Sequence, residues 1–110
     1  MHVGVPANSV VAFLGNAERQ SETIEQQREI LRALDDMLAK APGELRAARY
    51  RDYRGAEGAW TLPQLLQRYF APDPPRALDE RFWDDVAAPE AKAVVRRQRD
   101  ALVAAMRPPG

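Results

Sequence analysis

The chain has 110 residues, carries 16 basic and 16 acidic side chains, and contains no Cys. Its only His is His2, close to the beginning. The side chains that most often act as nucleophiles, as proton shuttles at neutral pH or as transition-metal ligands are therefore missing from the rest of the chain. We predict no bound metal or cofactor, and an enzyme that relies on carboxylate, Tyr or Arg chemistry is the least favoured function.

The length predicts one domain over residues 1–110. Many of the apolar residues are Ala, so the core is thin, and thin cores are often completed by a second copy or a partner. No apolar run approaches the roughly 20 residues that cross a bilayer, and the first residues lack the positive region of a signal peptide. The absence of Cys predicts a cytoplasmic protein, and the preference for Arg over Lys indicates a bacterial source.

Residues 9–40 show a helical pattern with one doubtful position at Gly15 and Asn16. One row of residues recurs every seven positions and a second row runs beside it; the first is Val10, Ala17, Ile24, Leu31 and Leu38, and the second is Phe13, Gln20, Gln27 and Leu34. This pattern predicts one long helix with a heptad seam, as in a coiled coil. Pro42 and Gly43 end it.

Two interpretations of the long helix stay open: it is one member of a small bundle, or it pairs with another chain. A helix of about 30 residues spans roughly 45 Å, which is more than the short later helices can cover. We therefore expect a homodimer. Its seam would consist of Phe13, Gln20, Ile24, Gln27, Leu31, Leu34 and Leu38.

Residues 44–53 predict a short helix with an unusual surface. Arg46, Arg49, Tyr50 and Tyr53 follow one another at helical spacing and would share a face. Arg and Tyr are common at protein interfaces and can also contact nucleic acid, but the rings can equally cover the core while the Arg stems cover the rings. A competing interpretation is a minor β-hairpin near residues 53–62.

The remaining chain predicts short helices bounded by Pro. Thr61 is placed to cap a helix that begins with Leu62 and Pro63, a Pro-rich loop follows, and Pro89 opens the last helix. Between them, the spacing of Leu78, Phe82 and Val86 indicates another short helix. We predict an all-α bundle of four to five helices, with flexible ends at residues 1–8 and 107–110.

Phe82 and Trp83 are adjacent, so both rings cannot easily face one core, and one of them could contact a partner. The favoured function is a bacterial cytoplasmic interaction module, an accessory subunit, adaptor or inhibitor whose protein partner the sequence does not identify. The alternative is a nucleic-acid-binding regulator that uses residues 46–54. The candidate partner-binding residues are Arg46, Arg49, Tyr50, Tyr53, Phe82 and Trp83.

Overall fold

The computed structural model describes residues 7–20, 22–51 and 60–107. Helices account for 64% of these residues, which confirms a mainly helical protein, but a two-stranded antiparallel sheet accompanies them. In the described residues the elements are α1 (Ser9–Leu14), β1 (Glu18–Arg19), α2 (Ile24–Ala39), α3 (Pro42–Ala47), α4 (Leu62–Tyr69), β2 (Phe70–Ala71), α5 (Arg81–Asp85) and α6 (Pro89–Met106).

Helices α2 and α6 are the two longest elements of the described residues, and they pack against each other in opposite directions. The Lys92 ammonium, near the beginning of α6, donates to the carbonyl oxygens of Met37 and Leu38 at 3.0 and 3.3 Å, near the end of α2. Further along, Arg99 Nε lies 2.7 Å from Asp35 Oδ1. Both helices contribute fully buried or nearly buried apolar residues to the core, namely Ile30, Ala33, Leu34, Met37, Ala91, Val94, Val95 and Leu102.

The prediction of one continuous helix over residues 9–40 is wrong, because the chain leaves the helix after Leu14. Glu18 and Arg19 pair with Ala71 and Phe70 in the antiparallel sheet instead. The next helix starts anew, since the Thr23 hydroxyl accepts a hydrogen bond from the amide of Gln26 at 3.2 Å. A strand and a new helix cap thus lie between α1 and the body of α2.

The short helix α1 is fastened at its first turn. The Asn8 side chain accepts hydrogen bonds from the amides of Val10 and Val11, and its amide group donates to the Asp85 carbonyl at 3.0 Å. The Ser9 amide donates to the Asp85 carboxylate at 2.8 Å. The nearby Ser9 side chain and the hydrogen bond from the Ser9 amide hold the pKa of Asp85 below its ordinary value. Asn8 and Ser9 are therefore joined by hydrogen bonds to the last residue of α5. Of the ends predicted to be flexible, residues 1–6 and 108–110 lie outside the described residues.

The Pro and Thr signals are confirmed by the structure. Thr61 caps α4 in a reciprocal arrangement with Gln64, and Pro89 opens α6. Helix α2 ends at Ala39, ahead of Pro42, but Pro42 itself opens α3, two residues before the predicted start at residue 44. The expected count of four to five helices is wrong: the described residues form six, because the predicted first helix is two separate ones.

Most of the alternative hairpin near residues 53–62 lies outside the described residues. Within them, Tyr50 and Trp60 form one antiparallel bridge.

The close packing at the end of α1 yields a test with a matched control. A Cβ atom on Gly15 would lie only 2.5 Å from the backbone oxygen of Val11, whereas a Cβ atom on Gly43, inside α3, would meet nothing within 4 Å. Gly15→Ala should lower the free energy of unfolding by about 1–3 kcal/mol. Gly43→Ala should raise it by up to about 1 kcal/mol, because Ala favours the helix. Urea unfolding followed by circular dichroism measures both, and equal stability of the two variants would contradict this packing.

Candidate functional site

The segment predicted as an Arg/Tyr helical face is not one helix. Helix α3 ends at Ala47, and the chain continues in extended conformation from Ala48. Arg49 stabilises this end of the helix, since its Nη1 group donates to the carbonyl oxygens of Arg46 and Ala48, both at 2.9 Å. The predicted shared face is therefore wrong for Arg46, Arg49 and Tyr50, and Tyr53 lies outside the described residues.

Tyr50 is a core residue with a satisfied hydroxyl group. Its side chain is only 1% exposed, and the hydroxyl donates to Asp36 Oδ2 at 2.8 Å. The guanidinium of Arg32 lies over the ring, 4.6 Å from its centroid. Burial raises the pKa of Tyr50 above its ordinary value of 10.0, the hydrogen bond and negative charge of Asp36 raise it further, and Arg32 acts in the opposite direction. This Tyr is held as a neutral hydrogen-bond donor and offers no open ring face.

The same network fastens the backbone beside Tyr50 to α2. Arg32 donates to both carboxylate oxygens of Glu29, at 3.0 and 2.8 Å, and also to the Arg49 carbonyl at 3.0 Å. Glu29 in turn accepts a hydrogen bond from the Arg51 amide. Burial alone would raise the pKa of Glu29, but the hydrogen bonds and charges of Arg32 and Arg51 more than offset it, so the pKa lies below its ordinary value. The network is a structural tie between α2 and the extended segment.

A different group of residues forms the most distinctive surface. The guanidinium of Arg46, on α3, lies over the indole of Trp83, on α5, with 5.0 Å between its central carbon and the ring centroid. Arg46 Nη1 is 3.3 Å from Glu80 Oε1, and these two side chains are 56% and 81% exposed. We call Arg46, Glu80 and Trp83 the Arg–Trp surface. The fold thus brings Arg46 and Trp83, two of the predicted partner-binding residues, into contact although they are 37 positions apart in the chain.

Phe82 supports the Arg–Trp surface from inside. Its ring is fully buried and meets the Trp83 ring edge-to-face, with 4.9 Å between the centroids. Trp83 is only partly buried and packs against the edge of the core. The expectation that the two rings divide between core and surface agrees with this arrangement, and Phe82 as a direct partner contact is wrong because none of its side chain reaches the surface.

The seven residues of the predicted oligomer seam do not form one stripe, because the helix that would carry them is interrupted. Phe13 and Leu34 are buried in the chain's own core, while Leu31 and Leu38 are partly buried against it. Gln20 lies just after β1, and Gln27 is half-buried on α2. Ile24 alone among the large apolar side chains of the described residues is strongly exposed, at 61%.

Glu80 is the member of the Arg–Trp surface that the sequence did not indicate, since it lies 34 positions from Arg46 and no local spacing links them.

Across residues 7–20, 22–51 and 60–107, no group of three or more His, Asp or Glu side chains is placed to hold a metal ion. Within those ranges no helix combines the length and apolar character needed to cross a membrane. Comparison of the chain with protein-family models, with curated proteins and with solved structures found no match.

The Tyr50 hydroxyl gives a pH-dependent test. Tyr50→Phe keeps the ring but removes the hydrogen bond to Asp36, so at pH 7 it should cost about 1 kcal/mol of unfolding free energy. The unfolded chain loses the Tyr proton near pH 10, whereas the folded chain retains it to higher pH because the folded pKa is raised. The contribution is therefore complete below pH 10 and is lost as the pH rises further.

The stability difference between wild type and Tyr50→Phe should accordingly shrink over the alkaline range above about pH 10. Urea unfolding at a series of pH values measures it, and subtracting the two proteins cancels the titration of all other groups. A difference that stays constant over this range would show that the hydroxyl is not held as the structure describes.

Proposed function

We propose that the protein is a protein–protein interaction module, an accessory subunit, adaptor or inhibitor, that binds its partner through the Arg–Trp surface. The observation that carries this proposal is the exposed Arg46 guanidinium resting on the Trp83 indole. Trp and Arg are the side chains most enriched among residues that dominate binding energy at protein interfaces. Here both are placed side by side by two different helices.

The supports beneath this surface favour a binding role. Helix α3 is anchored by buried Leu45 and α5 by buried Phe82, with Val86 buried immediately after it. Because the two helices are fixed by the core, Arg46 and Trp83 are already arranged before a partner arrives. Such pre-arrangement lowers the entropy that binding must overcome.

Nucleic-acid binding by residues 46–54 is the weaker candidate. Bases stack on open aromatic faces, but Tyr50 is buried under Arg32. Arg49 contacts the backbone at the end of α3 rather than standing free, and Glu80 places a negative charge beside Arg46. These features favour a protein over a polyanion as the partner.

A different protein is favoured over a second copy of this chain. The expectation of a dimer rests on a helix of about 30 residues, whose apolar face the short later helices could not bury. Helix α2 has only 16 residues, and it packs on α6 of the same chain. The proposal places the module in the bacterial cytoplasm, in keeping with the absence of Cys. It assigns no chemical reaction to the protein.

Charge reversal on two separate surfaces tests the proposal. Arg46→Glu should abolish capture of a partner from the native host, because it replaces the central cation by a carboxylate next to Glu80. Trp83→Ala should weaken the same capture by at least about tenfold. The control is Arg96→Glu, an identical change at an exposed position of α6, and it should capture the partner as the wild type does.

Affinity purification with quantitative mass spectrometry provides the measurement, and circular dichroism checks that every variant is folded. A partner retained equally by the folded Arg46→Glu variant and by wild type would contradict docking at this surface. Loss of the partner with Arg96→Glu but not with Arg46→Glu would place the interface on α6 instead.

A further inference from the structure

We infer that the partner presents a single carboxylate, flanked by apolar groups, which replaces Glu80 on Arg46. This inference rests on the proposed docking function and specifies the chemistry of what docks. In the free protein, the Glu80 carboxylate occupies the position on Arg46 that the partner's carboxylate would take.

The contact between Arg46 and Glu80 has the properties of an exchangeable one. It consists of a single 3.3 Å approach between Nη1 and Oε1, not a paired contact through two nitrogens. The Glu80 side chain is 81% exposed, so water solvates nearly all of it. Exposed ion pairs of this kind contribute little to folding, and a better-placed carboxylate can therefore replace Glu80 without disturbing the fold.

Arg46 has unused capacity for such a carboxylate. A guanidinium carries five N–H groups in a planar fork, and a carboxylate can accept two of them side by side. Among the described residues, the hydrogen bond to Glu80 is the one that the Arg46 side chain donates. The Trp83 ring covers one side of the guanidinium, which favours a paired contact over a solvated single one.

The surrounding charges limit what kind of acidic partner fits. Exposed Asp79 and Asp84 lie next to Glu80 and Trp83 in the chain. The cations of the same segments are already engaged, Arg81 with Asp85 at 3.4 Å and Arg49 with backbone carbonyls. A run of several acidic residues would meet repulsion from the carboxylates of Asp79 and Asp84. A lone carboxylate with apolar neighbours avoids it, and the apolar neighbours can cover the partly exposed Trp83 ring.

The test uses two short synthetic peptides with acetylated and amidated ends as probes, one with a single Glu between two Leu residues and one with Gln in place of that Glu. Binding is followed in the NMR spectrum of the full chain by the indole N–H signal of Trp83. The chain has two Trp residues, so the signal of Trp60 serves as an internal control. We expect the Glu peptide to shift the Trp83 signal with a Kd of about 1–10 mM, and the Gln peptide to bind at least about fivefold more weakly.

Two substitutions separate replacement from simple attraction. Glu80→Gln removes the competing charge and should tighten binding of the Glu peptide about threefold or more. Arg46→Lys keeps the charge but not the planar fork, and it should weaken binding at least about threefold. Circular dichroism of both variants should match the wild type, since both residues are exposed.

Equal binding of the Glu and Gln peptides would overturn the inference, as would unchanged or weaker binding by Glu80→Gln, or a Trp83 signal unmoved at about 10 mM of the Glu peptide. These outcomes are distinct from failure of the proposed function. If Arg46→Glu still loses the captured partner while Glu80→Gln brings no gain, docking at this surface stands and the carboxylate chemistry is wrong. If Arg46→Glu keeps the partner, both are wrong.

Discussion

The antiparallel packing of α2 on α6 is the constraint on which the rest of the structure depends. The two helices share an apolar interface and two polar contacts. Lys92 donates hydrogen bonds to carbonyl oxygens at the end of α2, and Asp35 forms an ion pair with Arg99. Because Lys92 donates to backbone carbonyls that a helix end leaves open, it fixes the position of α6 along α2 as well as the contact itself. The remaining helices are short and arrange themselves around this pair.

Arg32 and Arg46 both lie over aromatic rings, but the two contacts serve different purposes. On the polar flank of α2, Arg32 joins Glu29 to the backbone of Arg49 and lies over the buried Tyr50, so its charge serves the fold. Arg46, on the next helix, rests instead on Trp83 and pairs with Glu80 at the surface. The pairing of a guanidinium with an aromatic ring therefore serves the fold at Arg32 and Tyr50 and forms an exposed surface at Arg46 and Trp83.

The sequence predicted those elements whose ends carry local signals and failed where the signal was a repeat. Thr61 with Gln64, and Pro89 at the start of α6, mark helix ends through their own chemistry and were identified correctly. The seven-residue spacing from Val10 to Leu38 was coincidental, since it runs through two helices and a strand. Thr23 followed by Gln26 resembled a helix start and could have revealed the break. The meeting of Arg46 with Glu80 and Trp83 depends on tertiary packing, so no local pattern could predict it.

The central claim is that Arg46 is an interaction residue, not a structural one, and its contribution to stability tests this most directly. Urea unfolding of Arg46→Ala should differ from wild type by less than about 0.5 kcal/mol, because its ion pair and ring contact are exposed. Arg32→Ala is the structural comparison and should cost at least about 1 kcal/mol, since the Glu29 carboxylate loses its charged partner, the Arg49 carbonyl loses its donor and the buried Tyr50 ring loses its cover. A loss for Arg46→Ala as large as that for Arg32→Ala would contradict the account, because Arg46 would then serve the fold.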